Sequence, residues 1–185
     1  MRLLLALDVH SFDPDLKKLK INLGKAKNLE HRWIPKEHWH IPLCQLGEMS
    51  QEKLQQIYPM IMSVVRKISS FDLKLRGVWA YPTQERGRLL WIGVQNSKEL
   101  RELQAGLVKE LNLESEDYRP YLPIVRLRNF RELSDLLSPF KNSEFGKIRI
   151  QRISLYAMTS GGAFPSYRKI ISFDLSELGS RDLHF

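Results

Sequence analysis

HIPLCQLGE (residues 40–48) and YLPIVRLR (residues 121–128) share an unusual pattern of residues. Both have the apolar content of a partly buried strand, and both carry a proline at their third position, Pro42 and Pro123. At an offset of 81 residues, the seven positions 40–46 align with 121–127. The matched prolines predict two pseudo-symmetric lobes that face one another across a cleft. Chance similarity between two apolar strands is the alternative.

The segments around these stretches predict alternating helices and strands. Ser50 suits the N-cap of a helix that Pro59 should kink. The predicted elements are a strand at 2–9, a helix at 13–30 begun by Asp13 and Pro14, a helix after Ser50, a hairpin of 71–81 and 89–95, a helix at 97–113 with Leu100, Leu103, Leu107 and Leu111 on one stripe, a short helix at 130–138, and two final strands around Gly161 and Gly162.

This pattern predicts an α+β fold of two pseudo-symmetric lobes, each an antiparallel sheet with helices on its outer face, around a central cleft. We expect residues 1–185 to form a single domain made of these two lobes. The composition, 43% hydrophobic and 27% charged, is ordinary for a soluble globular protein. A chain of this length needs neither a disulfide nor a metal to fold.

The charge of the chain favours partners that carry phosphate. The formal net charge is +8, from 29 basic and 21 acidic residues. A solvated, solubilising surface is the alternative explanation. Cys44 is the only cysteine, so no intrachain disulfide forms and a cytoplasmic setting is expected. The apolar run in the first ten residues is too short for a signal peptide or a membrane span, so no membrane association is expected.

Several segments resemble the 2H phosphoesterase superfamily, most of all its RNA 2′,3′-cyclic phosphodiesterases, also called 2′-5′ RNA ligases. RWIPKEHWHIPLCQLGE (residues 32–48) and YRPYLPIVRLR (residues 118–128) resemble the two motif regions of the family. YPTQERGRLLWIGV (residues 81–94) is similar to its central hairpin. The resemblance implies hydrolysis of a cyclic phosphate without metal or cofactor, by two His-x-Thr motifs that face one another.

Both motifs depart from the family pattern. The first is His40-Ile41-Pro42 and the second begins at Tyr121 and ends at Pro123, so one of four signature side chains remains. Proline has neither a hydroxyl nor an N–H and cannot donate to a phosphate oxygen. A tyrosine is a poor base at neutral pH, although its phenol still donates a hydrogen bond. The candidate catalytic residues are therefore His40 and Tyr121, with Pro42 and Pro123 beside the ligand.

Further binding candidates lie next to the motifs. The resemblance makes Arg126 a phosphate contact, but strict alternation puts it opposite Tyr121, so a bulge or strand end is needed. Arg119 and Arg128 would add charge nearby, with ordinary surface arginines as the alternative. Trp39 is a candidate for stacking on a base, with a structural role as the alternative. Gln45 replaces the aromatic residue usual at that family position.

The first motif region contains two other pairs of chemically active side chains. His38 and His40 have a spacing at which both reach one metal, but no nearby ligands complete a site, so no metal is predicted. Alternation places Cys44 on the same face of the strand as His40. A role as a small core or cleft residue is favoured for Cys44 over a nucleophilic pair with His40.

Three functions follow. The first is a degenerate 2H phosphoesterase-like protein that binds RNA ends or nucleotide phosphates in a basic cleft, with phosphodiesterase activity lost or strongly reduced. The second is an active RNA 2′,3′-cyclic phosphodiesterase that uses His40 and Tyr121 by an altered mechanism. The third is a protein-interaction module on the same scaffold. The sequence does not predict an oligomeric state.

Overall fold

The structure of the protein is a computed structural model, which describes residues 2–114, 117–159 and 165–176. The strands are β1 (Arg2–Asp8), β2 (His31–Trp33), β3 (His40–Glu48), β4 (Phe71–Pro82), β5 (Gly87–Val94), β6 (Tyr121–Arg131), β7 (Glu144–Ile150), β8 (Arg152–Thr159) and β9 (Ser166–Asp174). The α-helices are α1 (Lys17–Lys25), α2 (Gln51–Val65), α3 (Lys98–Glu110) and α4 (Ser134–Leu137), with 3-10 turns at Lys36–His38 and Ser138–Phe140.

The strands form two sheets in which all neighbours are antiparallel. One sheet has four strands in the order β3-β1-β8-β9, and the other has five in the order β2-β6-β5-β4-β7. The motif strand β3 lies at one edge of the first sheet. The motif strand β6 is covered on its outer side by β2, whose residues pair with Val125 to Leu127. The predicted α+β fold of two antiparallel sheets with helices is confirmed.

The two sheets share one plan. The order β3-β1-β8-β9 in one corresponds to β6-β5-β4-β7 in the other, with the motif strand first in each. Each motif strand also has an extra residue just after its proline. Leu43 is the extra residue opposite β1, and Ile124 is the extra residue opposite β5. A bulge at the same aligned position in both strands supports the duplication that the sequence predicts.

The helices cover one face of the sheets. The buried residues of α2 and α3 belong to the same apolar cluster as the inward residues of β1, β4, β5 and β6. Ser50 caps α2 as predicted, because its Oγ accepts a hydrogen bond from the Lys53 amide at 3.3 Å. The helix continues through Pro59. The sheets are also tied directly, since the Tyr118 hydroxyl, just before β6, donates to the Pro42 carbonyl on β3 at 2.9 Å.

Two predicted segments are wrong. The helix predicted for residues 13–30 is only Lys17–Lys25, and Asp13 does not cap it but pairs with Lys36 at 3.0 Å. Residues 144–174 form three strands instead of two, because the chain leaves β7 in the five-stranded sheet and enters β8 in the other. The predicted turn at Gly161 and Gly162 lies outside the described residues.

Candidate functional site

The site candidates of the two motif strands come together in one cavity between the sheets. The cavity has a volume of about 90 Å³. Its lining consists of Leu4, Ile34, His38, His40, Pro42, Gln45, Leu89, Tyr121, Pro123, Arg126, Met158, Pro165 and Tyr167. A histidine and a tyrosine that are far apart in the sequence therefore face one hollow, on the side of the sheets away from the helices.

His40 opens β3 and is 4% exposed. Its Nδ1 lies 2.7 Å from the His38 carbonyl oxygen, which only accepts, so Nδ1 carries the proton and donates it. Nε2 of the neutral ring is then an acceptor. Burial lowers the pKa of His40 to about 4, with smaller lowering effects from His10 and His38 and opposing ones from the His38 carbonyl and Asp8. The imidazole is therefore neutral at pH 7.

Two tyrosines, Tyr121 and Tyr167, line the same cavity as His40. The Tyr167 ring on β9 packs 4.4 Å from the His40 ring, centre to centre. Burial raises the pKa of Tyr121, and the neighbouring Tyr167 and Tyr81 raise it further, while Arg126 lowers it. Burial likewise raises the pKa of Tyr167, against lowering effects of Arg126 and Arg2. Both phenols keep their protons at neutral pH and can donate them in hydrogen bonds.

Arg126 reaches the cavity because of the bulge in β6. The extra residue Ile124 shifts the alternation by one, and both Ile124 and Val125 are fully buried. Arg126 therefore returns to the face of Tyr121 and Pro123, as the sequence analysis required. The same shift in β3 turns Cys44 into the core, where it is 6% exposed and burial raises its pKa to about 12. The expectation that Cys44 shares the face of His40 is wrong.

A polar cluster lies next to His40 on the same face of the four-stranded sheet. Asp8 accepts hydrogen bonds from Tyr156, from Ser154 at 2.9 Å and from Lys169 at 2.7 Å. Burial by itself raises the pKa of Asp8, but the hydrogen bonds from Lys169, Tyr156 and Ser154 outweigh it and lower the pKa. The Tyr156 ring lies 5.7 Å from the ring of His40. The cluster thus fixes a charged pair beside the cavity.

Three predicted binding residues lie away from the cavity. Trp39 is 5% exposed, and its Nε1 donates to the Ile34 carbonyl at 2.9 Å, so the indole is part of the core and offers no face to a base. Arg119 pairs with Asp117 at 2.9 Å, and Arg128 pairs with Glu30 at 2.8 Å. Both arginines are largely exposed and neither contributes to the lining of the cavity.

The described residues contain neither a metal cluster nor a helix that could span a membrane. Across residues 2–114, 117–159 and 165–176, no group of three or more His, Cys, Asp or Glu side chains is arranged to hold a metal ion. None of the helices in this part of the chain is both long and apolar enough to cross a membrane. A larger hollow of about 420 Å³ lies between α2 and the end of β9, but it contains no motif residue.

The sequence analysis missed Tyr167, although the ring packs directly on His40. Tyr167 lies in a strand whose alternation is weak, since SYRKIISFD (residues 166–174) shows no regular change from polar to apolar. Tyr167 can be placed near the first motif only when the strand order β3-β1-β8-β9 is known.

Comparisons with known proteins agree with this fold. Residues 7–91 match the model of the LigT-like phosphoesterase family. An RNA 2′,3′-cyclic phosphodiesterase of Methanocaldococcus jannaschii is 29% identical over 177 residues, which cover 92% of this chain and 98% of that protein. One of Archaeoglobus fulgidus is 28% identical, with 94% of this chain and 100% of that protein covered.

Solved structures show the same architecture. Escherichia coli LigT in complex with 3′-AMP superposes with a TM-score of 0.70 at 18% identity, over 94% of this chain and 97% of LigT. A protein of Thermus thermophilus superposes with a TM-score of 0.69 at 19% identity, over 97% and 100% of the two chains. Residues 7–91 thus match the LigT-like phosphoesterase family, and relatives that match most of the length of this chain are named RNA 2′,3′-cyclic phosphodiesterases. The fold of the chain is that of LigT.

Proposed function

We propose that the cavity binds the phosphate end of an RNA or a nucleotide, with cyclic phosphodiesterase activity lost or strongly reduced. The observation that carries this proposal is the convergence of His40, Tyr121 and Arg126 on one hollow. Arg126 offers a fixed positive charge and several donors to phosphate oxygens. The neutral His40 and the protonated Tyr121 offer one acceptor and one donor. The names of the relatives supply the ligand class.

The proposed loss of turnover rests on the two prolines that replace the hydroxyl residues of the family motifs. Pro42 and Pro123 both line the cavity, and a proline there leaves a phosphate oxygen without a donor. Removing one donor to developing charge typically costs about 10²- to 10³-fold in rate. Replacing the second histidine by Tyr121 removes an acid or base, at a further typical cost of about 10²- to 10⁴-fold. The effects are not simply additive, but both reduce the rate.

A residual reaction is the second candidate. His40 in the neutral form has the acceptor that a general base needs, and Tyr121 keeps the proton that a general acid gives up. Water would form a bond to the phosphorus and give its proton to His40 Nε2, while the bond from phosphorus to one ribose oxygen breaks and Tyr121 gives its proton to that oxygen. Exchange of protons with solvent would return both side chains to their starting forms.

Binding and turnover are measured on the same preparation, without metal. The ligands are 2′,3′-cyclic nucleotides and an oligonucleotide with a cyclic phosphate end. Arg126→Met should weaken binding and reduce its salt dependence. Arg128→Met is the matched control, because Arg128 is paired with Glu30 outside the cavity, and it should bind like the parent. Absence of binding to every phosphate ligand would contradict the proposal and leave a protein-interaction module.

Restoration of the family motifs tests the loss of turnover. The triple variant Pro42→Thr, Tyr121→His and Pro123→Thr should cleave cyclic phosphodiesters faster than the parent. Folding is checked by circular dichroism and thermal melting. A folded triple variant with no gain in rate would show that these positions do not act on one phosphate. Turnover by the parent that His40→Asn abolishes would favour the second candidate.

A further inference from the structure

A row of aromatic rings leads away from the cavity across the five-stranded sheet. We call Trp79 on β4, Trp91 on β5 and Tyr121 on β6 the aromatic row. Trp79 and Trp91 are cross-strand partners with ring centres 6.3 Å apart. The Trp91 ring lies 5.8 Å from that of Tyr121, in an edge-to-face arrangement. The row therefore begins with a residue that lines the cavity and continues onto the open face of the sheet.

The aromatic row is on the face opposite to the core. Val78 and Ala80 on β4 point into the apolar cluster under the helices, so alternation turns Trp79 and Tyr81 the other way. Trp79 is 36% exposed and Tyr81, one step further along the strand, is 65% exposed. Large aromatic side chains in a line on an open sheet face are unnecessary for the core and mark a binding surface.

Two glycines hold the Trp79 indole against the sheet. A methyl group built on Gly93 would approach Trp79 Nε1 to 3.2 Å, and one built on Gly77 would approach it to 2.8 Å. The indole therefore rests on bare backbone of its own strand and of β5. Gly77 also has φ +76°, which other residues rarely adopt. The ring is preorganised, so binding on it costs little conformational entropy.

Positive charge accompanies the aromatic row. Arg126 stands at its inner end in the cavity. Near the far end of β6, the guanidinium groups of Arg86 and Arg88 lie 4.8 and 5.5 Å from the centre of the Phe130 ring. Phe130 is 42% exposed. Aromatic rings interleaved with arginines are the combination that binds single-stranded nucleic acid, by stacking of bases and attraction of phosphates.

We propose that the aromatic row binds the unpaired bases next to the RNA end, so that the ligand is single-stranded RNA and not a mononucleotide. This inference rests on the proposed function, because it places the terminal phosphate in the cavity beside Arg126. The nearest bases stack on Trp91 and Trp79 in turn. Duplex RNA is excluded, because its bases are stacked on one another and present no free face. Stacking is tolerant of sequence, since every base has a π-face.

The test measures affinity against ligand length. A uridine 2′,3′-cyclic phosphate and single-stranded oligouridylates of two to six nucleotides, each with a cyclic phosphate end, are titrated by isothermal calorimetry. Affinity should rise over the first two or three nucleotides and then level off. Trp79→Ala and Trp91→Ala should each lower the affinity for the hexanucleotide about tenfold. Binding of the mononucleotide should stay within about twofold in Trp79→Ala, whose indole does not contact the cavity residues.

Control variants separate stacking from damage to the fold. Trp79→Phe keeps an aromatic face and should retain most of the affinity. Trp33→Phe alters a tryptophan of β2 that lies under the Lys20 ammonium group, away from the aromatic row. This variant should bind all ligands like the parent. Thermal melting compares the folding of all variants. Equal losses with mononucleotide and hexanucleotide would overturn the proposal, because they would indicate a disturbed cavity and no base contacts.

The outcomes also separate this inference from the proposed function. Mononucleotide binding that depends on Arg126, without any gain from added nucleotides, would overturn the aromatic row and leave the end-binding cavity. Hexanucleotide binding that depends on Trp79 and Trp91 but not on the terminal phosphate would support the row and contradict the cavity as an end site. No binding of any of these RNAs would overturn both.

Discussion

The buried neutral imidazole of His40 should make the stability of the protein depend on pH in a defined window. Its pKa in the folded state is about 4, against an ordinary value of 6.5. Because the folded pKa is the lower one, the unfolded chain binds more protons between these values. The contribution of His40 to stability is therefore complete above pH 6.5 and is lost as the pH falls toward 4.

The size of the effect follows from the two pKa values. One pKa unit corresponds to about 1.4 kcal/mol, so the loss of unfolding free energy from this group is about 1 kcal/mol at pH 5.5 and about 3 kcal/mol at pH 4. His40→Asn provides the comparison, because the asparagine amide keeps a donor for the His38 carbonyl but does not titrate. The comparison with the variant removes the contributions of ionisable groups that do not interact with His40.

The assay is urea unfolding at pH 7.5, 5.5 and 4. The difference in unfolding free energy between parent and His40→Asn should move by the stated amounts in favour of the variant as the pH falls. His31→Asn is the control, since His31 also contacts a carbonyl at 2.9 Å but lies half-buried on β2, outside the cavity. A difference between parent and His40→Asn that stays constant across this range would refute the assignment of a buried neutral imidazole.

Three further outcomes are expected. Asp8→Asn should lower the unfolding free energy at pH 7 by about 1–3 kcal/mol, because Lys169 loses its charged partner. The difference from the parent should be smaller at pH 3, where Asp8 of the parent becomes protonated, and urea unfolding at pH 7 and pH 3 measures it. Gly93→Ala should lower the unfolding free energy by about 1–3 kcal/mol, since its methyl group would approach a β4 carbonyl to 2.5 Å and Trp79 to 3.2 Å. An unchanged melting temperature and an unchanged tryptophan emission would contradict this packing. Cys44 should react with a thiol reagent only on unfolding, because its buried thiol has a pKa of about 12, and rapid labelling of the native protein would disprove this.

The strand pairs and the long helices were predictable because their patterns are local. Alternation identified β4 and β5, and the leucine stripe identified α3, where Leu100, Leu103 and Leu107 are fully buried. The error at residues 13–30 arose because Asp13 and Pro14 resemble a helix start, while Asp13 is held by Lys36 from a distant segment. The residues next to Asp13 in the sequence do not indicate that its partner is Lys36, 23 positions away.

The site was predictable in its residues but not in its geometry. The resemblance and the matched prolines identified His40 and Tyr121, and the two lie in one cavity. In the sequence, each bulge is indicated only by two successive apolar residues after the proline. A bulge at these positions predicts that Arg126 points into the cavity and that Cys44 points away from it. Trp39 was misjudged because a tryptophan beside a motif looks the same in sequence whether it is buried or exposed.

The two prolines have a consequence for how the protein meets other copies of itself. Pro42 lies on the edge strand β3, and Pro123 lies just beyond the part of β6 that β2 covers. Proline has no amide to give to an added strand, and a proline on an edge strand discourages strand-to-strand aggregation. Threonine at these two positions would return an amide as well as a hydroxyl, so a gain in activity should be accompanied by a greater tendency to aggregate at high protein concentration.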